Sequence, residues 1–142
     1  MRRSARAILI TKENKLLLMK RTKPSGVYYI TIGGGIEENE TPKQALLREL
    51  KEESGSIVEN PTFMFHYEDP KRQNSFDFFV CREIERIKPT GTEWTVWNSP
   101  DNQYALVEVS SKEAKKLPIK PDDIKDKIID LYEKAINESK EQ

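Results

Sequence analysis

Three glutamates stand close together in this chain, Glu49, Glu52 and Glu53, with Arg48 next to the first. On a helix turning about 100° per residue, with Glu49 at the origin, Glu53 falls at about +40° and Glu52 at about −60°. The three carboxylates then share one face. Leu46 projects to about +60°, Leu50 to about +100° and Leu47 to about +160°, so an apolar stripe begins beside Glu53. Glu49 and Glu53 border that stripe and are expected to be partly enclosed, whereas Glu52 lies further from it. Like charges at this spacing repel, and partial burial strengthens the repulsion. A divalent cation would neutralise it. Hard carboxylate oxygens with no Cys or His nearby suit Mg²⁺, or Mn²⁺ in its place, better than Zn²⁺. Spacing alone leaves a second reading open, an acidic helix face turned to solvent. Arg48 is placed to pair with Glu52 at i, i+4 or to brace Glu49.

Other chemistries have little to work with. Cys81 is the only cysteine and His66 the only histidine, so there is no intrachain disulfide and no Cys/His zinc cluster. No nucleophile motif accompanies His66. The 24 Lys and Arg residues balance 24 Asp and Glu residues, and a neutral chain gives no global argument for a nucleic-acid polymer or a membrane surface. No apolar run is long enough for a signal-peptide core or a membrane span, so a cytoplasmic location is expected.

The acidic stretch needs a helix to present it, and the sequence supplies both ends. Thr41 is an N-cap candidate, Pro42 suits the first helical position, Gln44 completes a capping box and Gly55 fits the residue after the helix end. Three glycines, Gly33, Gly34 and Gly35, precede the helix and allow backbone to approach a ligand. Upstream, residues 5–11 and 15–21 read as a hairpin around Glu13-Asn14-Lys15, followed by a strand through Tyr28, Tyr29 and Ile30. Downstream, residues 62–68 and 75–84 read as strands joined by a turn at Asp69–Arg72. A strand over 104–109, a short helix from Ser111 and a last helix from Pro121 follow, with a charged tail from Asn137 expected to fray. The 142 residues make one mixed α/β domain.

Taken together, these residues resemble the signature of the Nudix hydrolases, G-x5-E-x7-R-E-U-x-E-E-x-G-U, where U is aliphatic. Gly34, Glu40, Arg48, Glu49, Leu50, Glu52, Glu53 and Gly55 fall on it at every spacing, and Ser56 departs from the last aliphatic position. The resemblance implies an α/β/α sandwich around a mixed β-sheet. It implies Mg²⁺-dependent hydrolysis of a diphosphate linkage in a nucleoside diphosphate joined to another group X. Glu52 and Glu53 would be the prime metal ligands, with Glu49 a further ligand or the base that orients water. The Gly33 carbonyl would add a ligand, Arg48 would hold a box glutamate, and Glu40 would support the site. An acidic residue beyond the box often joins in, and Glu93 is the choice here, ahead of Glu83, Glu85 and Asp101. Relatives are often homodimers. A non-catalytic nucleotide- or metabolite-binding module of the same fold is the alternative, and a purely structural acidic face is a third.

Substrate contacts are sought among Arg6, Arg21, Tyr28, Gly34 and Gly35, with Lys20 as a further cation near a strand end. Tyr28 and Tyr29 alternate, so at most one faces the site. Phe63, Phe65, Tyr67, Phe76 and Phe78 are expected mostly in the core. His66 falls on the opposite face from Phe65 and Tyr67 and is expected to be exposed.

Overall fold

A computed structural model describes residues 1–88 and 99–140; Glu93, Trp94 and Trp97 lie outside the described residues. The first strand, β1 (Arg2–Ile10), shows how the layers are sorted. Its side chains alternate across the sheet. Ala5, Ala7 and Leu9 pack with Leu17, Met19 and Ile32 on one face. Ile8 and Ile10 pack with Leu16 and Leu18 on the other.

Among the described residues six strands form one mixed sheet in the order β4-β5-β1-β3-β2-β6. The others are β2 (Leu16–Lys23), β3 (Gly26–Gly35), β4 (Ser56–Asp69), β5 (Asn74–Arg86) and β6 (Gln103–Val109). Only β1 and β5 run parallel. The expected β1–β2 hairpin closes over just two pairs, Leu9–Leu17 and Ile10–Leu16. Strand β3 then enters between them, pairing its residues 26–31 with β2 and 32–35 with β1. The hydrophobic pattern shows that 5–11 and 15–21 are strands, but both central strands satisfy it equally well whichever neighbour they take.

Helix α1 (Pro42–Glu53) forms as its end signals dictate. The Thr41 side chain accepts from the Gln44 amide, and the Gln44 side chain accepts from the Thr41 amide. Gly55 takes φ +70°, and a Cβ there would collide with the Ile87 carbonyl. Ala45, Leu46 and Leu50 are buried against the sheet. Leu47 is not; it is 42% exposed, because at about +160° on the wheel it has rotated past the sheet edge.

On the opposite face lie α2 (Ser111–Lys115), a 3₁₀ turn (Asp122–Ile124) and α3 (Lys125–Lys140). Ser110 and Glu113 make a second capping box. Ile124, Ile128, Ile129 and Tyr132 are buried, and Leu131 and Ile136 pack against them. Phe63 is the exception among the hairpin aromatics. Phe63 pairs with Phe79 and Phe65 with Phe78, so Met64 is an extra residue and Phe63 is thrown to the other face, 55% exposed. Phe65 and Phe78 stack in the core with centroids 4.7 Å apart. Among the described residues no helix is long and apolar enough to cross a membrane.

Candidate active site

Arg48 is the hub of the acidic helix. Its Nε and Nη2 donate to the two oxygens of Glu40 at 2.8 and 2.9 Å. Nη1 donates to Glu49 at 2.9 Å and to Glu52 at 3.3 Å, and Nη2 also reaches the Gly35 carbonyl at 2.9 Å. Both pairings open to Arg48 in the sequence are therefore made. The planar fork of a guanidinium is what permits so many partners at once. The Arg48 pairing, then the Glu37 amide, pulls the Glu40 carboxyl down to about 2. In return, Glu40 first and Glu49 next raise the Arg48 guanidinium above its ordinary value. Burial along the helix follows the wheel, since the Glu49 side chain is 12% exposed and that of Glu52 is 39% exposed.

Gly33 joins this carboxylate face to the rest of the site. Its amide donates to Glu53 Oε2 at 3.4 Å, and its carbonyl accepts from Arg6 Nη1 at 3.3 Å. It takes φ +150°, and a Cβ would strike the backbone of Ala5, so only glycine fits. Gly34 is kept bare for another reason. A Cβ there would sit 2.5 Å from the Glu49 carboxylate, which occupies that space.

These donors are of the right kind for a hard cation, being carboxylates and a backbone carbonyl. Among the described residues, however, no three His, Cys, Asp or Glu side chains already converge as a metal cluster. Arg48 draws Glu49 and Glu52 towards itself while Glu53 leans to Gly33. The half-exposed Glu52 is the side chain with room to swing.

A cavity of about 440 Å³ opens where β3 changes partner. Arg6, Asn74, Phe76 and Phe78 line it from β1 and β5, and Arg21 and Tyr28 from β2 and β3. Arg6 Nη1 also donates to the Thr31 carbonyl at 3.0 Å, and its guanidinium lies 5.8 Å from the Phe76 ring. Burial, then Arg2, lowers the Arg6 guanidinium, and Glu53 and Glu49 oppose them. Arg21 lies 3.8 Å over the Tyr104 ring and donates to Asn102 Oδ1 at 2.8 Å. Its Nε is buried without a hydrogen-bond partner. Tyr29 faces the α3 core instead of the cavity. Lys20, Gly34 and Gly35 do not line this cavity, and the Gly35 carbonyl is taken by Arg48.

Sequence reasoning missed two features. Asn74 comes to the cavity through the β1–β5 register, which no local pattern encodes. Lys120 comes with Pro121 after an isolated bridge between Tyr29 and Ile119. Of the acidic residues beyond the box, Glu83 is buried in an ion pair with Arg86. The Cys81 thiol is pushed up to about 12 by burial, then by Glu83, which leaves it no role as a nucleophile.

A family model for the NUDIX domain matches residues 1–126. An 8-oxo-dGTP diphosphatase of Proteus vulgaris is 36% identical over 83 residues, 56% of this chain and 74% of that protein. An ADP-ribose pyrophosphatase of Methanocaldococcus jannaschii is 38% identical over 65 residues, 45% of this chain but only 38% of that protein. Among solved structures, a MutT from work on Aliivibrio salmonicida and Vibrio cholerae superposes with a TM-score of 0.67 at 19% identity, covering 92% of this chain and 98% of that one. An ADP compounds hydrolase gives 0.73 at 16% identity, covering 97% and 74%. The chain belongs to the Nudix family and is a pyrophosphohydrolase of the Nudix type.

Proposed function

We propose that this protein hydrolyses a diphosphate linkage in a nucleoside diphosphate joined to a further group X, with Mg²⁺ as its cation. One observation carries the reading. The Glu49 carboxylate is held against bare Gly34, next to Gly33, and Gly33 is shared by Glu53 and the cavity arginine Arg6. Carboxylates for a cation and a guanidinium for a phosphate thus meet at one peptide.

Glu49, Glu52 and Glu53, the Gly33 carbonyl and Glu93 would hold the cation. When bound, it supplies neutralising charge for the non-bridging phosphate oxygens and lowers the pKa of water. The chain's own groups do the rest. Arg48 fixes the direction of Glu49 and Glu52, and the Glu40 pair fixes Arg48. Glu49 would act either as a further ligand or as the base that orients the attacking water. Arg6 stands where the diphosphate would leave the carboxylates and enter the cavity. Phe76 and Tyr28 offer ring faces to a base, and Arg21 offers a donor at the far wall. The relatives' substrates, 8-oxo-dGTP and ADP-ribose, head the panel to be tried.

The test is Glu53→Gln. Loss of one such electrostatic group is expected to lower turnover by about 10² or more while the thermal midpoint stays near that of the parent. Undiminished Mg²⁺-dependent turnover in that variant would overturn the reading. Binding of the panel without product release by the parent protein would favour a nucleotide-binding module instead.

A further inference from the structure

The one position that departs from the box pattern, Ser56, is where the structure does something unexpected. An aliphatic residue there would pack behind the end of α1. Ser56 is instead 3% exposed and donates to Glu83 Oε2 at 2.6 Å. Ser54, the C-cap of α1, stands 2.7 Å from Ser56, oxygen to oxygen. Glu83 is itself 6% exposed and accepts from Arg86 Nε and Nη2 at 2.9 and 2.8 Å. The neighbouring backbone is tied down as well, with the Ile87 amide donating to the Gly55 carbonyl at 2.8 Å.

Proton count gives this chain a direction. Ser54 Oγ also lies 2.9 Å from the Leu50 carbonyl, so three oxygen contacts share two hydroxyl protons. The Leu50 carbonyl already accepts from the Ser54 amide at 3.0 Å. Both hydroxyls are thus free to point the same way, Ser54 to Ser56 and Ser56 to the Glu83 carboxylate. Arg86 donates to both oxygens of that carboxylate, a two-pronged charge-assisted pair. A buried charge that accepts in this way fixes its donors more tightly than apolar contact does, and losing one partner leaves the others uncompensated.

We infer that Glu83 is a positioning residue for the reaction, acting through Ser56 and Ser54 on the last turn of α1, which carries Glu52 and Glu53. A charged clamp on β5 does the work that apolar packing does where the box is aliphatic. The inference rests on the proposed role of the box glutamates in holding Mg²⁺. The cost of losing such a supporting contact in metal sites is about 10–100-fold in affinity.

Four variants of the whole chain test it, the fourth combining the first two. Ser56→Ala cuts the middle link and leaves the Glu83–Arg86 pair intact, so its fold is preserved. Glu83→Gln removes the charge. The triple variant Ser56→Val, Glu83→Met, Arg86→Leu replaces the clamp with apolar packing. Two quantities are read: amide hydrogen exchange at Ser54 and Gly55, and the Mg²⁺ concentration giving half-maximal hydrolysis. Ser56→Ala and Glu83→Gln are each expected to raise both by about tenfold with KM for the nucleotide unchanged, and not additively when combined. The triple variant is expected to return both to within about twofold of the parent. Unchanged exchange and half-saturation in Ser56→Ala, or strictly additive effects, overturn the inference. Should the parent hydrolyse nothing, the proposed function fails, and the exchange data still decide whether the clamp holds α1.

Discussion

Arg48 grips Glu40 with two parallel hydrogen bonds, at 2.8 and 2.9 Å, across the turn that joins the glycines to α1. This pair sets the hub in place before Glu49 and Glu52 are considered. Lysine keeps the charge but cannot reproduce the fork. Arg48→Lys is therefore expected to lower turnover about 10–100-fold, the usual cost of a lost supporting contact, with the fold retained by circular dichroism. The Glu40 carboxyl also has a pH signature. Its folded value, about 2, lies below the ordinary value of about 4.3. A depressed carboxyl contributes stability that is present above the unfolded value and lost as pH falls towards the folded one. Thermal midpoints measured from about pH 5 down to about pH 2 should fall more steeply in the parent than in Glu40→Gln.

Adjacent glycines are expected to behave differently. The nearest atoms to a Cβ on Gly34 are those of the Glu49 carboxylate, the far end of a flexible side chain, at 2.5 Å. Gly34→Ala should then leave the thermal midpoint within a few degrees and displace Glu49, lowering turnover by about 10². A Cβ on Gly35 meets nothing nearer than the Arg2 guanidinium at 3.6 Å, an ordinary contact. Gly35→Ala should be close to silent in both assays. Equal loss of activity in the two variants would show that loop flexibility, not the space over Glu49, is what Gly34 protects.

Gly34 and Gly35 read alike in the sequence and are separated only by what surrounds them, so not every feature was legible there. Helix α1 was, because caps, periodicity and charge spacing are local and agree. So was the order of enclosure of its glutamates, which follows from geometry within twelve residues. Strand neighbours were not. Residues 5–10 carry the same alternation whether β2 or β3 lies beside them, and the partner change in β3 sets Gly33 opposite Arg6 and close against the Ala5 carbonyl, a relation between strands. The extra residue that turns Phe63 outward is invisible for the same reason, since register is a relation between two strands. The cavity collects residues from β1, β2, β3 and β5, so only single residues, Arg6, Arg21 and Tyr28, could be guessed. Ser56 reads from sequence as a lapse in packing; its partner Glu83 lies 27 residues away.

His66 offers a clean measurement because it is the only histidine. Its Nδ1 lies 2.6 Å from Asp77 and its Nε2 3.2 Å from Glu68. Asp77 first, then Glu68, raises its pKa. A raised histidine adds stability that is full below about 6.5 and is lost as pH climbs through the folded value. The single imidazole resonance should titrate above about 6.5 and shift down in Asp77→Asn. Neither change should alter turnover at fixed pH, since His66 lines neither the cavity nor the Arg48 cluster.

The two cavity arginines should separate binding from turnover. Arg21 sits on the far wall, stacked 3.8 Å over Tyr104, and its buried Nε has no hydrogen-bond partner. A substrate acceptor reaching it would gain a charge-assisted hydrogen bond worth about 1.5–3 kcal/mol, made equally in the ground and transition states. Arg21→Met is accordingly expected to raise KM by about tenfold or more and leave kcat nearly unchanged. Arg6 differs because it also props the Gly33 carbonyl, at 3.3 Å, beside the amide that meets Glu53. Its loss frees the peptide that the carboxylates share. Arg6→Met should therefore depress kcat as well as raise KM. Steady-state kinetics on one substrate settles the contrast: a pure KM effect in both variants would mean that Arg6 only binds, and that Gly33 keeps its place without it.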